Sequence, residues 1–167
     1  MTNLTTKTNL DVNLEINLDT DRFCADPKKY LEMFKAHQSE QNYTDEKLGM
    51  FLLELENYLY HFANKLGGEV YNGGYWTMDK GFFLLSDGES DNIFQVSDYY
   101  GTSFKLNVTE FSIVVNLFAL SHLCIVSLDR VNPFTNHMAV FFSDYIKAVM
   151  NKNKDILNLS AIYSILD

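Results

Sequence analysis

The sequence is poor in the residues that build covalent scaffolds. It contains two cysteines among 167 residues, Cys24 and Cys124, and neither lies in a CxxC pair or a Cys/His cluster. This pattern argues against a disulfide framework and is typical of free or buried thiols in a reducing compartment. The first 25 residues hold no apolar run long enough for a signal peptide. No later run approaches the roughly 20 residues of a membrane span, so we expect a cytoplasmic protein with no membrane contact.

Positive charge is also scarce. Lysine and arginine number 13 against 22 aspartates and glutamates, which gives a net charge of −9. Contact with nucleic acid phosphates needs a basic face, so we expect no direct nucleic-acid binding. Mimicry of DNA over the whole molecule is not expected either. A compact chain of this length is about 40 Å across, and duplex DNA of that length carries about 24 phosphates. The net charge of −9 is far below the charge of such a duplex.

Sequence motifs for catalysis are missing. The glycines form neither GxGxxG nor GxxxxGK[ST], the histidines show no HxH or HExxH spacing, and no serine lies in GxSxG. Asp87, Glu89 and Asp91 are spaced like calcium ligands, but the glycine and terminal glutamate of an EF-hand loop are absent. We therefore interpret them as a solvated hairpin tip. The expectation is a protein that is not an enzyme and has no cofactor and no metal site.

Apolar residues, in contrast, are plentiful enough for a real core, with 47% hydrophobic and 14% aromatic residues. Residues 10–18, LDVNLEINL, alternate apolar and polar side chains, which predicts a strand. That strand is expected to extend the domain's own sheet, and the alternatives are pairing with a second copy of the chain (a homodimer) or a partner, or a loose tail. We expect an N-terminal extension over residues 1–25 that carries this strand, followed by one domain over residues 26–167.

The rest of the chain predicts an α+β domain. Short β-type runs (GYWTM, FFLLS, NIFQV and TSFKLN) between Tyr71 and Asn107 are separated by turn residues, so we expect a four-stranded antiparallel sheet (a meander). About five helices are expected to pack against it. The first three are expected to follow caps at Asp26-Pro27, Thr44 and Asn107 with Glu110. Asn132-Pro133 is expected to break the third, and two more helices are expected over residues 135–150 and 155–166.

The stretch YNGGYW at residues 71–76 concentrates the most unusual residues of the chain. Gly73 and Gly74 are expected to shape a tight turn, and Gly81 a hairpin bend. Tyr75 and Trp76 are adjacent on a predicted strand, so at most one of them can enter the core. The other ring is either an anchor for a protein contact or covered by a neighbouring helix.

Three stretches together resemble a known family. YNGGYW, then GFFLLSD, then IVVNLFALSHL resemble the ArdB/KlcA antirestriction family, which carries a Y-x-GGYW stretch, a glycine-led aromatic strand and a helix reading LFALS. Glu56 and Tyr60 in ENYLYHFANKL match the helix that precedes Y-x-GGYW in that family, and the closing IYSILD resembles its C-terminus. The match spans about residues 54–167, and the alternating strand at 10–18 has no counterpart in it.

The resemblance implies a small α+β protein that inhibits host restriction, chiefly by type I restriction-modification systems, and so protects incoming DNA of a mobile element without catalysis. The implied partner is the type I machinery or an associated host factor. The predicted partner-binding or supporting residues are Glu56, Tyr75 and Trp76, with Gly73, Gly74 and Gly81 shaping the turns. The alternative is a non-enzymatic interaction or regulatory module that maintains a plasmid or another mobile element.

Overall fold

The computed structural model describes residues 44–78, 81–86 and 92–167. In order, its elements are helix α1 (Asp45–Gly67), strands β1 (Tyr75–Met78), β2 (Phe83–Ser86), β3 (Phe94–Ser97) and β4 (Ser103–Leu106), and helices α2 (Val108–Asp129), α3 (Pro133–Lys152) and α4 (Leu159–Leu166). A single 3₁₀ turn, Gly68–Val70, follows α1. The alternating strand at 10–18, the helix expected after Asp26-Pro27 and the boundary at residue 25 lie outside the described residues.

The prediction of a four-stranded meander packed with about five helices is wrong. The described residues form two separate antiparallel hairpins, β1–β2 and β3–β4, and four helices. In the first hairpin Tyr75 lies opposite Ser86 and Met78 opposite Phe83. The four predicted strands are present, but β2 does not pair with β3.

Helix α2 explains this, because its polar side chains bind the edge of β2 that a third strand would need. The Phe83 N–H donates to Asn116 Oδ1 (3.3 Å), and Asn116 Nδ2 donates back to the Phe83 carbonyl (2.7 Å). The Leu85 N–H donates to Ser112 Oγ (3.0 Å). These are the main-chain groups that would form the next ladder of the sheet. The sheet therefore ends at β2.

The caps of α1 and α2 follow the sequence expectations, whereas the last helix, expected over residues 155–166, begins at Leu159 after the Asn158 cap. Thr44 Oγ1 accepts from the Lys47 N–H at 3.2 Å, and Asn107 with Glu110 forms a complete capping box at the start of α2. Glu110 does more than its motif predicts, since its second carboxylate oxygen accepts from the Asn158 N–H at 2.7 Å. One buried carboxylate thus links the first turns of α2 and α4.

Helix α2 is the centre of the core. It packs against the other three helices and against β2, and the Phe111 ring stacks on Phe94 with ring centroids 3.9 Å apart. The sequence analysis expected no apolar run near the length of a membrane span, but α2 is long and apolar enough to cross a membrane. Most of its apolar window is nevertheless buried inside the fold, which is typical of the core helix of a soluble protein.

Candidate functional site

The aromatic turn, residues 71–76, sends one ring outward and holds two inside. Trp76 is buried, 7% exposed, and its Nε1–H donates to the Tyr71 hydroxyl at 3.1 Å. Tyr71 is itself buried and lies against the Phe111 ring. Tyr75 is 82% exposed. The expectation that at most one of Tyr75 and Trp76 enters the core is confirmed.

The Tyr71 hydroxyl has a structural role in this turn. Burial raises its pKa above the ordinary value, an effect that the Trp76 hydrogen bond partly opposes and that nearby Tyr60 reinforces. The phenol therefore stays neutral at physiological pH and acts as the acceptor that satisfies the buried indole N–H.

Two glycines permit close packing around the hairpin. A Cβ on Gly74 would lie 2.6 Å from Leu85 Cδ1, on the partner strand. Gly81 has φ +81°, and a Cβ there would lie 2.8 Å from the Tyr145 ring of α3. Burial raises the pKa of Tyr145 to about 12, in keeping with a ring packed tightly under the hairpin. Gly73, also at positive φ, has open space around it.

The three stretches that carry the family resemblance lie in contact. Trp76 is opposite Leu85 in the β1–β2 register, and Asn116 of IVVNLFALSHL binds both main-chain groups of Phe83. We call this connected set the motif scaffold: Tyr71, Trp76, Phe83, Leu85, Ser112 and Asn116. Its only predicted member was Trp76. Ser112 and Asn116 could have been found as two polar residues four apart in the apolar stretch FSIVVNLFAL of this helix, because buried polar groups need partners.

Among the described residues, Glu56 forms no hydrogen bond with the motif scaffold. It is half-buried on α1, and within the described ranges its carboxylate forms no hydrogen bond or ion pair. No hydrogen bond or ring contact there connects it with Tyr75 or Trp76. The structure therefore does not join the three predicted residues into one bonded cluster.

Exposed tyrosines are the most distinctive feature of the two hairpins. Besides Tyr75, the turn between β3 and β4 carries Tyr99 and Tyr100, which are 88% and 87% exposed with their rings in edge-to-face contact at 5.5 Å. Tyrosine offers a large contact area at a low cost in side-chain entropy, so exposed tyrosines on short strands and turns are well suited to bind a protein.

A groove of about 510 Å³ lies between α2, α3 and α4, lined partly by Phe118, Cys124, Val140 and Tyr163. Burial is the main cause that raises the pKa of the half-buried Cys124 thiol, so it stays protonated and is a poor nucleophile. Cys24 lies outside the described residues. In the part of the chain that the structure describes, no three His, Cys, Asp or Glu side chains are grouped so that they could hold a metal ion.

The geometry thus separates two kinds of residue. The motif scaffold is buried and hydrogen-bonded, whereas Tyr75 projects from it into solvent. Such an arrangement presents an exposed ring on an ordered strand. No protein-family model matches the chain, and no curated protein is significantly similar to it in sequence.

Proposed function

We propose that this is a cytoplasmic antirestriction protein of a mobile element, which protects incoming DNA by contact with a type I restriction-modification enzyme or an associated host factor and not by catalysis. The observation that carries the proposal is the arrangement of the aromatic turn. The three stretches with family resemblance build one buried scaffold, and the exposed member of YNGGYW with a large side chain is Tyr75.

Tyr75 has the properties of a contact residue. Its backbone lies in the β1–β2 ladder opposite Ser86, and the next residue, Trp76, is anchored to Tyr71. A ring held on an ordered strand loses little entropy when it is buried by a partner. Tyr75 is therefore the residue of the turn best placed to contribute binding energy, and Trp76 supports it from inside.

Charge favours a protein target. The net charge of −9 opposes binding to DNA phosphates, but it steers the molecule toward a basic surface. Enzymes that hold DNA neutralise its phosphates with lysine and arginine, so they expose such surfaces. Electrostatic steering of this kind weakens as salt screens exposed charges over about 8–10 Å.

A plating assay tests the proposal. Unmodified phage is plated on a host with a type I system, with and without expression of this protein, and on a host that lacks the system. We expect expression to raise plating on the restricting host toward the level on the other host, while plating of modified phage stays unchanged. Unchanged restriction with the protein stably expressed, across representative type I systems, contradicts the proposal. Loss of plasmid retention on gene deletion would then favour the maintenance module.

A further inference from the structure

Within the described residues, strand β1 has an open edge. Phe83 and Leu85 direct their N–H groups to α2, and they lie opposite Met78 and Trp76. In an antiparallel ladder, the main-chain groups of opposite residues both point inward or both point outward. The N–H and C=O groups of Trp76 and Met78 therefore point away from β2. Among the described residues, no strand pairs with this side of β1.

The two faces of β1 specify what a neighbouring strand must look like. Tyr75 and Thr77 are exposed on one face, while Trp76 is buried and Met78 half-buried on the other. A strand added at this edge needs polar side chains on the Tyr75 face and apolar side chains on the Trp76 face, because side chains alternate along a strand. An unpaired edge of this type is a template for strand addition.

Residues 10–18, outside the described residues, have this alternation in their sequence. Leu10, Val12, Leu14, Ile16 and Leu18 would share one face, and Asp11, Asn13, Glu15 and Asn17 the other. We propose that residues 10–18 pair with the open edge of β1 in the same chain, as the third strand of that sheet. This inference does not depend on the proposed function.

The length of the chain permits this pairing. The described chain begins at Thr44, at the start of α1, and β1 follows the other end of that helix. A helix of 23 residues is about 34 Å long at 1.5 Å per residue. Residues 19–43 reach about 80 Å when extended, and about 60 Å if residues 27–37 are helical. Either length spans α1.

The other open edges are less suitable. The outer edge of β4 carries Lys105, and an edge lysine discourages pairing because a neighbouring strand would have to desolvate its charge. Strand β3 alternates in the same way, but its apolar side chains Phe94 and Val96 are already fully buried, whereas Met78 on β1 is only half-buried and leaves apolar surface for a neighbouring strand to cover. Pairing at β3 is the competing outcome, and it would overturn the proposal.

The first measurement uses the full-length native chain. Nuclear Overhauser contacts are recorded by NMR between protons of residues 10–18 and those of Trp76 or Met78. Contacts across this edge are expected. Their absence, or contacts with Gln95 and Ser97 instead, overturns the proposal. In a mixture of labelled and unlabelled chains, contacts between copies would overturn the same-chain arrangement and indicate a dimer.

The second measurement is amide hydrogen exchange. The full-length variant Val12→Pro/Leu14→Pro removes two donors from the segment, and Thr5→Pro/Lys7→Pro is the matched control outside it. We expect the proline pair at 12 and 14 to lower protection at Trp76 and Met78 by about tenfold or more, since a local strand is lost. Protection that is equal in the native chain and both variants contradicts the pairing.

Discussion

Replacing Asn116 with alanine removes the side chain by which α2 binds the outer edge of β2. Asn116 is fully buried and forms hydrogen bonds with the N–H and the C=O of Phe83. Each buried main-chain group left without a partner costs about 1–3 kcal/mol, so we expect the free energy of unfolding to fall by about 2–6 kcal/mol. Urea denaturation measures this loss, and the Phe83 amide should lose protection from hydrogen exchange.

Asn64→Ala is the matched control. The Asn64 amide donates to the carbonyl four residues earlier at 2.8 Å, as the Asn116 amide does at 2.7 Å, but Asn64 is exposed and binds no strand. Its replacement should change the unfolding free energy by no more than about 0.5 kcal/mol. A loss below about 1 kcal/mol for Asn116→Ala would refute the argument that α2 takes the place of a third strand at β2.

Three further predictions concern the buried contacts. Gly81→Ala should lower the free energy of unfolding by about 1–3 kcal/mol in urea denaturation, because φ is +81° and a Cβ would clash with the Tyr145 ring. Gly49→Ala, with open space on α1, should raise it by about 0.5–1 kcal/mol. Equal effects of the two replacements would contradict this. Because the folded-state pKa of Tyr145 is raised to about 12 from 10.0, its contribution to stability is complete below pH 10 and lost as pH rises through about 12. Between pH 10 and 12, the melting temperature should therefore fall more steeply with pH for the native protein than for Tyr145→Phe. Parallel plots of melting temperature against pH would contradict this. The two carboxylate oxygens of Glu110 accept from the main-chain N–H groups of Asn107 and Asn158. Glu110→Gln leaves a single acceptor oxygen, so one N–H loses its partner and the free energy of unfolding should fall by about 1–3 kcal/mol. An unchanged urea midpoint would disprove this role.

Local signals in the sequence predicted the local structure well. The predicted caps Thr44 and Asn107 with Glu110 are the N-caps of α1 and α2 in the structure. Asn132-Pro133, predicted as a break after α2, is also where α3 begins. Each of these caps acts within one turn, through bonds between residues three or four apart, so a short window of sequence contains the whole interaction.

The pairing of the strands could not be predicted in the same way. Short connections favoured hairpins throughout, but the partner of β2 at its outer edge is Asn116, 33 residues after Phe83. That choice depends on how α2 packs against the sheet, which is a tertiary effect. The same limit applies to the site. Alternation predicted that Tyr75 and Trp76 face opposite ways, but it did not reveal that Trp76 is bonded to Tyr71.

The central claim is that the aromatic turn acts through the exposed Tyr75 while the buried motif scaffold only supports it. Tyr75→Ala in the phage plating assay tests this most directly, with Thr77→Ala, an exposed neighbour on the same strand, as control. The account predicts that Tyr75→Ala loses protection of unmodified phage with an unfolding free energy within about 0.5 kcal/mol of the native value, and that Thr77→Ala protects normally. Full protection by Tyr75→Ala would contradict it.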